Sequence, residues 1–264
     1  MRLVVLGSGT SVPHAERCSA AYWVATDEAS LLLDCGPDAS HRLAQEALPW
    51  LNLDAIWISH FHLDHLGGLA PFLFGTKWAP QTHQRDRPLK IFGPAGLKDL
   101  VNAFDQANNY GLMQQPFTIE LVEVEPGREF QVLPTLRAQA FSTAHTQESL
   151  AIRLTNRDAA SLVYTSDTGY TSELAGFSKG VDLLLMECSF RQNKPVQNHL
   201  KLAEAMQLAR LAQPQRVVLT HLYPEWDGID IAAEARALWS GETIAATDGL
   251  QLEIQERSKA NVKE

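Results

Sequence analysis

Ser59-His60-Phe61-His62-Leu63-Asp64-His65-Leu66-Gly67-Gly68 follows the apolar stretch Leu53-Asp54-Ala55-Ile56-Trp57-Ile58. Three imidazoles and a carboxylate stand between positions 60 and 65. An apolar run ending in a polar, glycine-flanked loop reads as a buried strand that carries side chains to the C-terminal edge of a sheet, where α/β proteins build their sites. His60 and His62 alternate on an extended backbone, so both can point the same way. Asp64 and His65 follow where the chain must turn, and Gly67-Gly68 permit a tight entry into the next helix. Four ligands this close strain a single tetrahedral zinc, and two adjacent metals account for them better. The plain alternative, a pH-sensitive or capping cluster, gives no reason for the His-x-His-x-Asp-His spacing.

The 264 residues are 45% hydrophobic and 20% charged, an ordinary soluble composition. A chain of this length buries about 70 to 75% of its unfolded surface, enough for a sizeable core. A formal charge of -9 argues against nucleic-acid binding through bulk electrostatics, which needs a basic face. Loaded metals change that locally, and within about 8 Å at physiological salt the site's own field matters more than the total. Met1 to Leu6 lacks the pattern of a secretory signal, and no run approaches 18 apolar residues, so no membrane partner is expected. Cys18, Cys35 and Cys188 are odd in number and far apart, which fits reduced thiols and a cytoplasmic location.

Strand-like runs recur at 3–6, 21–25, 31–33, 55–58, 89–92, 119–124, 130–132, 137–141, 150–154, 162–165, 183–186, 216–220 and 250–254. Helical periodicity marks 39–48, 97–106, 200–211 and 231–239, with Asp38 and Ser40 as candidate caps and Pro94 suited to a helix start. Without an internal linker or low-complexity tract, 1–264 reads as one domain, an α/β two-sheet sandwich with outer helices.

Four later segments repeat the opening pattern, an apolar strand followed at once by a polar or ionisable group. They end at His145, Asp167, Glu187 and His221. Their order resembles the metallo-β-lactamase superfamily across nearly the whole chain. The resemblance implies an αββα sandwich with a dinuclear site, most often two Zn2+, with Mn2+ or Fe2+ as alternatives. It places His60, His62 and His145 on one metal, Asp64, His65 and His221 on the other, and Asp167 across both. Two dications against two carboxylates and one bridging hydroxide leave such a centre positive, which favours an anionic substrate.

Within that superfamily, Leu6-Gly7-Ser8-Gly9-Thr10-Ser11-Val12-Pro13 with Arg17 and Ser19, Asp34-Cys35-Gly36, Ile91-Phe92-Gly93-Pro94-Ala95-Gly96, Thr165-Ser166-Asp167-Thr168, Glu187-Cys188-Ser189-Phe190 and Leu219-Thr220-His221-Leu222 are similar to ribonuclease Z and its phosphodiesterase relatives. Gly7-Ser8-Gly9 is no dinucleotide loop, since Val12 stands where a third glycine belongs. By the same resemblance His199 is the proton-donating histidine, held by Glu187; a helix-capping histidine is the competing reading. Asp34 is read as support for a ligand histidine. His14, His41 and His83 have no comparable company.

The implied activity is a hydrolase, a phosphodiesterase acting on a small diester or an RNA 3′ end, with Asp64 orienting the nucleophile. The ribonuclease Z family also implies a homodimer. Transfer-RNA 3′ processing itself is a weaker fit. Long-form enzymes carry an arm between the third metal motif and the bridging aspartate, where 148–163 here reads as two strands and a turn. Pro37-Asp38 and Leu200-Lys201 also depart from the family pattern. Lys77, Arg85, Arg87 and Lys90 form a basic stretch that either meets a phosphate backbone or is a solvated loop. Other readings of the same centre are a lactonase or thioesterase and, outside hydrolysis, a diiron protein.

Overall fold

The computed structural model describes residues 1–256. The tail 257–264 of the expected 1–264 domain lies outside the described residues. Two seven-stranded mixed sheets form the centre of the described chain. The first comprises β1 (Arg2–Gly7), β2 (Ala21–Ala25), β3 (Ser30–Leu33), β4 (Ala55–Trp57), β5 (Leu89–Gly93), β6 (Ile119–Glu123) and β14 (Gln251–Glu253). Its order is β14-β1-β2-β3-β4-β5-β6, antiparallel up to β3 and parallel from there. The second holds β7 (Glu129–Leu133), β8 (Leu136–Ser142), β9 (Leu150–Asn156), β10 (Ser161–Tyr164), β11 (Leu183–Glu187), β12 (Arg216–Thr220) and β13 (Glu242–Ala245). It runs β13-β12-β11-β10-β9-β8-β7 and is parallel from β13 to β10.

Strand alternation builds the layers. Leu3, Val5, Leu31, Leu33 and Trp57 face inward onto Ile152, Leu162, Leu183, Leu185 and Val218 of the other sheet. Their neighbours Val4, Leu6, Leu32 and Ile56 face outward under α1 (Ala39–Gln45), α3 (Leu69–Trp78) and α4 (Leu97–Gln106). Val163, Leu184, Met186, Val217 and Leu219 do the same under α5 (Ser172–Phe177), α6 (Leu202–Ala212) and α7 (Ile231–Leu238). These strands are apolar on both faces because both faces are covered, and each leucine so buried contributes about 1.5 to 3 kcal/mol. The result is the expected αββα sandwich.

Several local expectations change. A single helical turn, α2 (Leu63–Leu66), precedes Gly67-Gly68, so the glycines join two helices. α4 begins at Leu97 behind Gly96 at φ +95, three residues beyond Pro94, because the left-handed glycine makes the turn. Asp38 occupies the cap position of α1 without a side-chain bond, and Ser40 lies inside that helix. β13 and α5 carry too short a pattern to be read in advance.

Gly68 sits where backbones touch: a Cβ there would meet the Gly36 carbonyl oxygen at 2.1 Å, whereas one at Gly75, inside α3, meets nothing within 4 Å. Gly68→Ala is expected to destabilise by about 1 to 3 kcal/mol or more through overpacking. Gly75→Ala should stabilise by about 0.5 to 1 kcal/mol, because it removes a flexible residue from a helix interior. Urea unfolding of both variants checks the pair; equal effects would contradict this packing.

Candidate metal centre

β4, β8, β10, β11 and β12 deliver their chemistry to one edge of the sandwich. His60, His62, Asp64 and His65 follow β4, with Asp64 and His65 fixed in α2. His145 follows β8, Asp167 follows β10, Glu187 ends β11 and His221 follows β12. Segments leaving β3, β10 and β12 do so through left-handed backbone at non-glycine residues, Asp34 (φ 57), Ser166 (φ 55) and His221 (φ 57). Such conformations persist only where surroundings over-determine them. At His221 the surroundings are visible: Leu222 N–H donates to the Ser8 carbonyl at 2.9 Å, and Asp248 accepts from Ser8 N–H, Ser8 Oγ and Cys18 N–H at 2.7 to 2.8 Å. The Gly7-Ser8-Gly9 turn therefore braces the site.

The seven side chains fall into two groups with ligand-type atoms within 4.8 Å of one another, His60, His62, His145 and Asp167 in one, Asp64, His65 and His221 in the other. Asp167 lies between them. Its Oδ2 is 3.3 Å from His65 Nε2, 3.6 Å from His145 Nε2 and 3.8 Å from His60 Nε2, while its Oδ1 is 3.4 Å from His221 Nε2. Asp64 Oδ2 is 3.4 Å from His221 Nε2 and 3.8 Å from His65 Nε2.

A divalent cation fits this donor set. His60 Nε2 and His65 Nε2 are fully buried yet have no hydrogen-bond partner among the described residues. A buried nitrogen left so is costly unless something else meets it. Meanwhile the far ring atoms are held. His65 Nδ1 is 2.7 Å from Asp34 Oδ2, His60 Nδ1 3.0 Å from Ser59 Oγ, His145 Nδ1 2.9 Å from the Asn198 carbonyl and His221 Nδ1 3.0 Å from Ser189 Oγ. Anchoring one ring nitrogen so that the other faces inward is how ligand histidines are oriented. His62 differs, with Nδ1 3.0 Å from His145 Nε2.

Charge follows burial. Desolvation, then the neighbouring His65, pushes the His60 pKa far down, and desolvation chiefly lowers that of His145, so both are neutral as ligands must be. For Asp64 and Asp167 desolvation works toward protonation, but the surrounding histidines outweigh it and hold both carboxylates ionised. His65 goes the other way: burial opposes its charge, and Asp167 and Asp34 overcome that to raise its pKa.

Beside these groups, Glu187 Oε1 is 3.0 Å from His199 Nδ1 and accepts from Thr168 N–H at 2.8 Å; its Oε2 takes Ser189 Oγ at 2.7 Å and Leu200 N–H at 3.1 Å. Every lone pair of this buried carboxylate is engaged. His199 stacks on His221 at 5.4 Å and lies 4.0 Å from Asp167, making a third cluster with that pair. It stands two residues before the cap of α6, at Lys201, so it is not the capping residue.

Other sequence candidates go elsewhere. Arg85 is spent on the carbonyls of Leu51, Leu53, Arg87 and Pro88, Arg87 pairs with Asp54 at 2.8 Å, Lys90 with Glu120 at 3.6 Å, and Lys77 reaches the Tyr110 carbonyl. That stretch is structural rather than a free phosphate platform. His14 pairs with Asp227, which also meets Arg17. All three cysteines are free, and burial with Asp248 beside it pushes the Cys18 thiol up to about 12. No helix among the described residues is long and apolar enough to cross a membrane. Sequence reasoning missed Asp248, Ser189 and the Tyr164 hydroxyl, which donates to Asp34 Oδ2 at 2.7 Å.

A family model described as Anti-Pycsar protein Apyc1 matches residues 1–240. The chain belongs to that family. It is similar to a probable metallo-hydrolase, YhfI of Bacillus subtilis, at 27% identity over 94% of this chain and 98% of that protein. The crystal structure of YhfI, described as a metallo-β-lactamase fold protein, superposes with a TM-score of 0.82 at 25% identity over 96% of this chain and 99% of that one. Ribonuclease Z of Haloferax volcanii is 25% identical over 96% of this chain and 95% of its own length. The family, the fold and the relatives agree with the resemblance read from the motifs, and the chain is a metal-dependent hydrolase of the metallo-β-lactamase fold.

Asp34 is the test of how the centre is held together. Its carboxylate takes Ser59 N–H at 2.7 Å, Ser59 Oγ at 2.8 Å, the Tyr164 hydroxyl and His65 Nδ1. Asp34→Ala leaves these buried donors unmet and is expected to destabilise the metal-free protein by about 2 to 5 kcal/mol, read by urea unfolding. A loss below 1 kcal/mol, on the order of one ordinary hydrogen bond, would contradict that role.

Proposed function

We propose that the chain is a dinuclear zinc-dependent phosphodiesterase of the ribonuclease Z-like kind, working in the cytoplasm where its free cysteines stay reduced. The carrying observation is the two donor groups around a shared Asp167, with the buried Nε2 atoms of His60 and His65 facing its carboxylate yet lacking a hydrogen-bond partner among the described residues. In this reading His60, His62 and His145 hold one ion and Asp64, His65 and His221 the other, with Asp167 belonging to both. Imidazole and carboxylate donors suit Zn2+, and Mn2+ or Fe2+ can replace it. Bound ions supply positive charge to polarise a phosphoryl group and to ionise a water near neutral pH.

The chain's own groups do the rest. Asp64, buried and ionised, accepts from the attacking water and orients it. His199 presents Nε2 to the leaving alkoxide because Glu187 occupies Nδ1. Proton donation there lets a poor leaving group depart and is worth about 10²- to 10⁴-fold. The relative named ribonuclease Z supports phosphodiester cleavage over acyl transfer. β9 and β10 form a tight hairpin between His145 and Asp167, which favours a small diester or a short RNA 3′ end over the body of a precursor transfer RNA.

Protein of known metal content should hydrolyse bis-p-nitrophenyl phosphate, and chelation or Asp64→Ala should abolish turnover. Fully metallated protein inactive on bis-p-nitrophenyl phosphate, cyclic nucleotide and precursor transfer RNA alike would refute the reading.

His199 should control the alkaline limb of the pH profile. Burial pushes its pKa down, but the Glu187 hydrogen bond and charge, with Asp167, raise it above the ordinary histidine value. The acid form therefore survives to higher pH, and turnover falls as pH rises through the raised pKa. Glu187→Gln removes the stabilising charge and should move that limb to lower pH, while His199→Ala should remove the limb and cost about 10²- to 10⁴-fold in kcat. An unmoved limb in Glu187→Gln would assign the proton to another group.

A further inference from the structure

Two buried tyrosines tie the sheets together directly beneath the centre. Tyr164, on β10 of the second sheet, donates to Asp34 Oδ2, at the end of β3 in the first. Tyr22, on β2 of the first sheet, shares a 2.9 Å hydrogen bond with Thr220 Oγ1, the last residue of β12 in the second. The two rings lie 5.0 Å apart, tilted by 55°, and both are buried. The seam around them is apolar. Apolar burial is non-directional and does not by itself choose one docking position for two sheets. Two crossed hydrogen bonds do.

Both bonds end one step from the same candidate ligand group. Asp34 Oδ2 also receives His65 Nδ1 at 2.7 Å, and Thr220 immediately precedes His221. His65 comes from the first sheet and His221 from the second, with rings 5.4 Å apart, so their separation follows how the sheets are docked at this level. The other group is reached from Tyr164 less directly, through Asp34, Ser59 and then His60 Nδ1, or along the segment that leaves β10 for Ser166 and Asp167. We propose that Tyr22 and Tyr164 are positioning residues for the Asp64, His65 and His221 site: by cross-bonding the sheets they set the His65 to His221 spacing and hence that site's affinity for a divalent cation. This rests on the metal-binding reading above.

The test is a stepwise Zn2+ titration of the full chain against a chromophoric chelator, for the parent, Tyr22→Phe, Tyr164→Phe and the double variant, with Tm recorded before and after loading. In the double variant one of the two Zn2+ equilibria weakens by about 10- to 100-fold while the other moves less than about threefold. The rise in Tm that Zn2+ confers also shrinks. Unchanged Zn2+ affinities with Tm lowered equally in the free and loaded forms would make the tyrosines structural only and overturn the proposal. A parent that takes up no Zn2+ refutes the metal-binding reading itself. Should either phenylalanine variant fail to fold, Thr220→Val removes only the hydroxyl beneath His221 and is read in the same way.

Discussion

Donors from both sheets converge on the Asp34 carboxylate, and the candidate centre depends on that convergence. Ser59 brings the end of β4, His65 brings α2, and Tyr164 brings the strand that leads to Asp167. A carboxylate at zero exposure is tolerable only because charge-assisted hydrogen bonds surround it. The same bonds hold one candidate ligand from the first sheet against strand β10 of the second. A hydrophobic seam alone would join the two sheets without specifying the ångström-scale placement that coordination chemistry needs.

Strain accumulates around the same edge. Asp34, Ser166 and His221 adopt left-handed backbone at the ends of β3, β10 and β12, which turns each segment sharply at that edge. The supporting contacts come from far along the chain, notably Asp248 acting through Ser8 on the loop that carries His221. Local strain at a site is sustained by a rigid remainder, and here the remainder is two covered sheets with apolar residues on both faces of their central strands.

Electrostatics separates the site from the molecule. The chain carries -9 overall, yet its basic stretch is consumed by carbonyls and carboxylates, and the pocket sets the neutral imidazoles of His60 and His145 and the raised-pKa imidazole of His65 around ionised aspartates. In the proposed function, cations bound there would be what draws an anionic substrate. His199 and Glu187 stand at one side of the pocket with their hydrogen bonds already formed, so in the proposed function the leaving group's proton would be placed before substrate arrives.

The motif at 59–68 with the strand ends at His145, Asp167 and His221 identified the superfamily from sequence, because metal-ligand chemistry admits few residue types and strand periodicity is local. Continuous apolar runs in β1, β3, β11 and β12 likewise pointed to strands of a two-sheet sandwich with helices outside. β13 and α5 escaped because a four-residue strand and a six-residue helix with an internal glycine carry almost no periodic signal. Pro94 misled because Gly96, not proline, turns the chain. The roles of Asp248, Ser189, Tyr22 and Tyr164 could not be read at all, since an aspartate in a turn or a tyrosine in an apolar strand looks the same whether or not a partner waits across the seam. Which atoms could meet a metal and which strand faces are apolar was legible residue by residue, both being properties of single residues and their near neighbours. Which nitrogens remain without a hydrogen-bond partner, and how far apart the two candidate ligand halves stand, came from folding in three dimensions, because both depend on docking one sheet against the other between residues distant in the chain.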